Sequence, residues 1–185
     1  HAAGVSSGTS ALHLALLAAG IGEGDEVICP AMTFIATASA IDYSGARPVL
    51  ADVDYDTFNL SAESIERVVS PKTKAVIPVH LFGQSCQMEE IMEVAHQHNL
   101  FVVEDNAQAI GAVFKFHDGR KQQTGTIGNI GTTSFFPSKN LGCYGDGGAM
   151  FTNSDELGPM LKLIASHGQE KKYYHKVIGC NSRLD

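Results

Sequence analysis

The sequence predicts an α/β domain in which a mainly parallel, mixed sheet is covered by helices on both faces. Three observations predict it. Short β-branched runs alternate with helical patterns along most of the 185 residues, which is the rhythm of βα units. The run Phe101-Val102-Val103-Glu104 is almost continuously apolar, as a strand buried on both faces has to be. With 44% hydrophobic and 18% charged residues, the chain has enough apolar surface to pack, at a length natural for one domain.

The elements follow in order. Residues 8–19 join strong helix formers to small hydroxyl residues able to cap them, and Gly20 is placed to stop the helix, the first clear element of the chain. Residues 26–29 read as a strand ended by Pro30, 33–43 as a mostly buried helix ended by Gly45, and 48–53 as the next strand. A helix over 61–70 is closed by Pro71, a strand covers 74–79, a helix 88–98, and the apolar strand 101–104 follows. After Gly111 the rhythm changes. Residues 115–123 carry His, Asp, Gly, Arg, Lys and Gln and suggest an exposed hairpin or loop, 132–136 and 148–152 are strand-like, and a helix over 155–167 closes the pattern. No repeat, linker or internal boundary is visible, so residues 1–185 read as one domain.

Lys plus Arg number 13 against 20 Asp plus Glu, a formal charge of −7. A phosphate-backbone binder needs the opposite balance, which argues against nucleic acid as a partner. Every apolar run is too short to span a bilayer, and the start His1-Ala2-Ala3-Gly4 has neither the basic nor the apolar region of a signal peptide. A cytoplasmic protein is expected, with no membrane partner, and its first and last residues read as cut from a longer chain. Cys29, Cys86, Cys143 and Cys180 show no metal-ligand spacing, and His96 and His98 face different ways on their helix. Reduced thiols and no metal site are the expectation.

In open α/β sheets ligands bind at the carboxyl ends of strands. Asp105 directly follows the apolar strand and precedes Asn106-Ala107-Gln108; it is either a functional carboxylate or a cap of the next turn. Lys139, in Ser134-Phe135-Phe136-Pro137-Ser138-Lys139-Asn140-Leu141-Gly142, is either a nucleophile whose amine is tuned by desolvation or a solvated loop charge. Gly142, Gly145, Gly147 and Gly148 fit no dinucleotide fingerprint and let the backbone pass close to a ligand or a second subunit. Ser6-Ser7-Gly8-Thr9-Ser10 places hydroxyls and free amides at a helix N-terminus, a phosphate site by geometry and dipole, although N-capping alone accounts for one of the serines. A phosphate cradle, an acid at a strand end and a lysine nucleophile are the contacts that pyridoxal 5′-phosphate requires.

Four ordered stretches then resemble a known family: Val5-Ser6-Ser7-Gly8-Thr9-Ser10-Ala11-Leu12, Pro30-Ala31-Met32-Thr33-Phe34-Ile35-Ala36-Thr37-Ala38, Val103-Glu104-Asp105-Asn106-Ala107-Gln108-Ala109 and the segment 134–142. They look like the signatures of the DegT/DnrJ/EryC1/StrS sugar aminotransferases, and the resemblance runs the whole length of the chain. It implies the three-layer α/β/α large domain of the aspartate aminotransferase fold, with pyridoxal 5′-phosphate as cofactor. Lys139 would be the Schiff-base lysine, Asp105 the partner of the pyridine nitrogen and Gln108 the polar contact on the pyridoxal side of the ring. Gly8, Thr9 and Ser134 would hold the phosphate and Phe34 would pack on the ring face. Asn181 matches an asparagine that reaches the phosphate site of a neighbouring subunit, implying a homodimer with shared sites. Arg183 beside it is, by its own chemistry, either a partner for an anionic group of the substrate such as a sugar carboxylate or diphosphate, or a member of a surface ion pair.

Family members are about twice this length, which implies that a short N-terminal segment and a C-terminal small domain lie outside the present sequence. The segment 135–148 and His167-Gly168-Gln169 with Tyr173-Tyr174-His175 look most like the enzymes that aminate C3 of a UDP-linked 3-keto sugar, such as the 2-acetamido-3-oxo-glucuronate type, in cell-surface polysaccharide (lipopolysaccharide) biosynthesis. The resemblance implies L-glutamate as amino donor and a nucleotide-linked keto sugar as acceptor. Two relatives are set against this reading: a dehydratase branch, which carries histidine in place of the Schiff-base lysine, and a regulatory protein that keeps the fold without turnover. Lys139 argues against the first, and the joint presence of Lys139, Asp105 and Gln108 against the second.

Overall fold

The computed structural model describes residues 1–184. Its centre is a seven-stranded sheet in the order β1-β9-β8-β5-β4-β2-β3. Strands β2 (Glu26–Pro30), β3 (Arg47–Ala51), β4 (Thr73–Val76), β5 (Phe101–Asp105) and β8 (Ile130–Ser134) run parallel, while β9 (Gly148–Phe151) is antiparallel to β8 and to β1 (Ala2–Val5). The sheet is therefore mixed and mainly parallel, as the alternation of elements predicts. Strand β2 is buried along its whole length, the condition that produces continuous apolar runs in place of alternation.

Helices cover both faces. Helices α1 (Gly8–Ala18), α2 (Ala36–Tyr43) and α5 (Leu157–Ala165) carry Leu12, Ile41 and Leu161 into one apolar cluster. Helices α3 (Ala62–Val68) and α4 (Met88–Gln97) bring Ile65, Met88 and Ile91 into another on the opposite face. Met88, Ile91, Val94 and Ala95 recur at helical spacing on the buried side of α4. Helix α3 begins in a capping box in which the Ser61 hydroxyl accepts from the Ser64 amide and Ser64 answers to the Ser61 amide.

The structure departs from the sequence reading at several element boundaries. The first element is β1 and not α1: Ala2, Ala3 and Gly4 have weak strand propensity, and pairing with β9 makes the strand. Helix α2 starts at Ala36, leaving Thr33 and Phe34 in an irregular approach after β2. Strand β5 continues through Asp105, because the Asp105 amide donates to Pro78 O and its carbonyl accepts from the His80 amide. The polar stretch read as a hairpin or loop is a hairpin, β6 (Val113–Lys115) against β7 (Lys121–Gln123). A second small hairpin, β10 (Gln169–Lys171) with β11 (Tyr174–His175), lies where the sequence shows only a polar segment. Among the described residues no helix is long and apolar enough to cross a membrane.

Candidate active site

The parallel strands end at one edge of the sheet, and there a cavity of about 450 Å³ opens between the ends of β5 and β8, the start of α1 and the loop after β8. Gly8, Thr9, Phe34, Asp105, Gln108, Ser134 and Lys139 all line it. Residues scattered over more than a hundred positions of sequence thus share one space, at the carboxyl ends of the parallel strands where such sheets bind ligands.

Ser7 caps α1, its hydroxyl accepting from the Ser10 amide at 3.0 Å. The Gly8 and Thr9 amides fall in the first turn, where a helix has no internal acceptors for them. No side chain fits at Gly8: a Cβ there would lie 2.6 Å from the Ser134 Cβ. Gly148 is as constrained, since its Cβ would meet the Ser7 carbonyl carbon at 2.6 Å. The helix start and strands β8 and β9 are thereby pressed into a cradle of free amides and hydroxyls, the donor set of a phosphate site.

Asp105 is buried at the end of β5. Its Oδ1 accepts from the Ala107 amide at 3.2 Å and its Oδ2 from the Thr37 hydroxyl at 2.9 Å. It caps the following turn and also lines the cavity. Burial pushes its carboxyl above the usual carboxylate range, while the Ala107 amide, the Thr37 hydroxyl and the Lys139 ammonium pull the other way.

Lys139 sits in a turn closed by its own amide on Phe136 O at 2.8 Å. Asn140 ties the same loop to Ile110 O at 2.9 Å. No described residue accepts a hydrogen bond from the Lys139 ammonium, which leaves it directed to whatever enters the cavity. Gln108 is oriented by a neighbour: the Phe82 amide donates to its Oε1 at 2.7 Å, so the amide NH2 is left for the cavity. Phe82 pays for this contact with a left-handed backbone, φ 57°. Phe34, 68% exposed, stands at the mouth.

Asn181 and Arg183 are exposed and do not line this cavity. Sequence reasoning missed Thr37, which holds Asp105, and Asp146, a carboxylate among glycines that also lines the cavity. The glycines around Asp146 were a usable signal; nothing local marks Thr37, whose role depends on α2 packing beside β5. Chemically the site offers anion donors at one end, a buried acid at the other and a free amine between loops. That set fits pyridoxal phosphate at phosphate, ring nitrogen and aldehyde carbon.

The model of the DegT/DnrJ/EryC1/StrS aminotransferase family matches residues 1–185. The chain is 51% identical over 185 residues to a pleiotropic regulatory protein of Geobacillus stearothermophilus, covering 100% of this chain and 48% of that one. It is 46% identical over 180 residues to the UDP-2-acetamido-2-deoxy-3-oxo-D-glucuronate aminotransferase of Pseudomonas aeruginosa, covering 97% and 49%. The crystal structure of S. venezuelae DesV in complex with a ketimine intermediate superimposes with a TM-score of 0.92 at 43% identity, over 100% of this chain and 48% of DesV. The chain spans about half the length of the relatives it matches. Sugar aminotransferases of this kind depend on pyridoxal phosphate, and the four sequence signatures, the mixed sheet and the cavity at its edge agree with the match: this chain belongs to the DegT/DnrJ/EryC1/StrS aminotransferase family.

Proposed function

We propose that residues 1–185 form the cofactor-binding large domain of a transaminase that moves an amino group from L-glutamate to a nucleotide-linked keto sugar. The observation that carries this reading is the convergence of Asp105, Lys139 and the start of α1 on one cavity. Pyridoxal phosphate, when bound, supplies the electron sink that makes removal of a Cα proton feasible. The Gly8 and Thr9 amides and the Ser134 hydroxyl hold its phosphate, Phe34 packs on the ring face, and the Gln108 amide reaches the oxygen on the pyridoxal side. Asp105 keeps the proton on the ring nitrogen; its burial makes that ion pair strong, because little water competes. The Lys139 amine is the base that takes the proton from Cα of L-glutamate and returns one to the sugar carbon being aminated.

A UDP-linked 3-keto sugar is the acceptor in this proposal, in keeping with the glucuronate aminotransferase at 46% identity, and the pathway is cell-surface polysaccharide (lipopolysaccharide) biosynthesis in the cytoplasm. The working form is a homodimer with shared sites. Lys139 is the only lysine or arginine among the described residues lining the cavity, whereas glutamate and a sugar diphosphate both carry anions that need donors. Asn181 and Arg183 stand exposed outside their own cavity and supply those donors to the neighbouring subunit. The dehydratase reading is disfavoured by Lys139, and the regulatory reading by the complete set Lys139, Asp105 and Gln108 in one cavity.

An absorbance scan of the purified full-length protein tests the reading. A band near the visible edge that borohydride abolishes, absent from Lys139→Ala, is expected, together with conversion of UDP-3-keto sugar when glutamate is supplied. A Lys139→Ala variant that still turns over removes this lysine from the mechanism. Mixing Asn181→Ala with Lys139→Ala subunits tests sharing: one site of the mixed dimer is wild type, so activity absent from both parents returns, and no recovery despite verified exchange overturns the shared site.

A further inference from the structure

The last described residues alternate in exposure in a way that their sequence does not announce. Asn181 and Arg183 are exposed, while Ser182 between them is only 3% exposed. The segment is pinned from one side by α5, with the Cys180 amide donating to Ile164 O at 2.8 Å and the Ser182 amide to Ala165 O at 3.0 Å. From the other side it is pinned by a chain of hydroxyls. Ser182 Oγ lies 3.0 Å from Ser6 Oγ and accepts from the Ser6 amide at 3.4 Å. Ser6 Oγ lies 3.1 Å from Ser10 Oγ, which accepts from the hydroxyl of Ser7, the cap of α1, at 3.1 Å. Leu184 packs beside Gly4 and Gly147, close enough that a Cβ on Gly147 would lie 2.7 Å from it.

We infer that Ser182 is a positioning residue: its buried hydroxyl fastens the Asn181–Arg183 arm to the phosphate cradle of its own subunit and so fixes the geometry with which that arm meets the neighbouring site. The inference rests on the shared-site reading above. It adds that the two sites are mechanically joined, because Ser7 lines one cavity and is hydrogen-bonded, through Ser10 and Ser6, to the residue between the two side chains that serve the other. A serine suits this place because its hydroxyl both donates and accepts within a buried network, and removing one member leaves its partners unsatisfied. Four hydroxyls also explain a feature that N-capping leaves over, since Ser7 alone caps the helix.

The test uses the full-length protein and three readouts: cofactor retention, KM against kcat, and hydrogen exchange of residues 177–184. Ser182→Ala is expected to weaken cofactor retention about tenfold, to raise KM for the keto sugar by a similar factor with kcat changed less than about twofold, and to speed exchange in the arm. Ser182→Thr, which keeps the hydroxyl, restores all three. Ser6→Ala attacks the same network from the cradle side, and its effect is less than additive with Ser182→Ala. This second variant covers the case in which Ser182→Ala does not fold. Asn181→Ala separates the two levels of the argument. If it lowers retention while Ser182→Ala and Ser6→Ala change neither retention nor exchange, the shared site stands and the latch is overturned. If Asn181→Ala leaves retention unchanged, the shared-site reading fails and the latch falls with it.

Discussion

Glu104 and Asp105 are neighbours on one strand, and their carboxyl groups lie on opposite faces of the sheet under opposite conditions. Glu104 is fully buried and saturated: Oε1 accepts the Ile127 and Gly128 amides, both at 2.6 Å, and Oε2 accepts the Gly125 amide at 2.7 Å and lies 2.9 Å from His80 Nε2. The Cys86 amide donates to the other ring nitrogen of His80 at 3.1 Å, which settles the tautomer and leaves Nε2–H for Glu104. Asp105 has two fixed donors only, and its remaining acceptor capacity faces the cavity. The contrast separates a saturated carboxylate from one left open to the cavity. A carboxylate whose lone pairs are all taken holds a loop in place, whereas one left short of partners keeps a raised proton affinity for a ligand to answer.

The largest expected effect comes from removing the charge on which the proposed transamination depends. Asp105→Asn should lower turnover by several orders of magnitude, because a neutral amide cannot keep the ring nitrogen protonated. Cofactor binding should weaken much less, since the phosphate cradle is untouched, and unfolding of the cofactor-free protein should show no loss of stability. Near-normal turnover in this variant would dismiss Asp105 from the chemistry. Glu104→Gln breaks the other side of the comparison. It swaps an acceptor for an NH2 group among four donors, and a cost of about 3–5 kcal/mol in denaturant unfolding is expected. A loss under about 1 kcal/mol would mean that Glu104 is not the fastener of the 125–128 turn.

The pH dependence sharpens the contrast further. The folded, cofactor-free protein holds the Asp105 proton to higher pH than the unfolded chain does. Its contribution to stability is therefore most favourable below the ordinary carboxylate pKa and is lost as pH rises from there through the raised value, with a slope of at most about 1.4 kcal/mol per pH unit. Subtracting the Asp105→Asn curve isolates this group; a difference that grows in favour of wild type with rising pH contradicts the assignment. The smallest effect is expected from Thr37→Val, which removes one donor to Oδ2 for about 1 kcal/mol. The acidic limb of the pH–rate profile should move to higher pH, and Thr37→Ser should return it. An unmoved profile would show that the Thr37 hydroxyl does not tune Asp105.

Much of this was legible in the chain itself. The parallel core strands announce themselves because burial on both faces demands uninterrupted apolar residues, as in Phe101 to Val103. Asp105 and Lys139 stand out because a charge directly behind such a strand, or between Pro137 and a glycine cluster, needs a reason. Elements of weak local preference stayed hidden: β1 exists through its pairing with β9, and the β10–β11 hairpin turns at Tyr173 with φ 69°.

The sequence by itself determined the fold class and the hydroxyl-rich helix start, and it singled out Asp105 and Lys139 as candidates, since each of these depends on residue type and near neighbours. Only the tertiary structure decided which carboxylate of the Glu104-Asp105 pair is satisfied and which is free. Strand direction sends the two side chains to opposite faces, and the donors that meet them come from His80, Gly125, Ile127 and Gly128 for Glu104 and from Thr37 and Ala107 for Asp105. The same holds for Ser182, an unremarkable serine in sequence. The role we propose for it rests on a contact with Ser6, 176 positions away, and no local pattern encodes a hydrogen bond made at that separation.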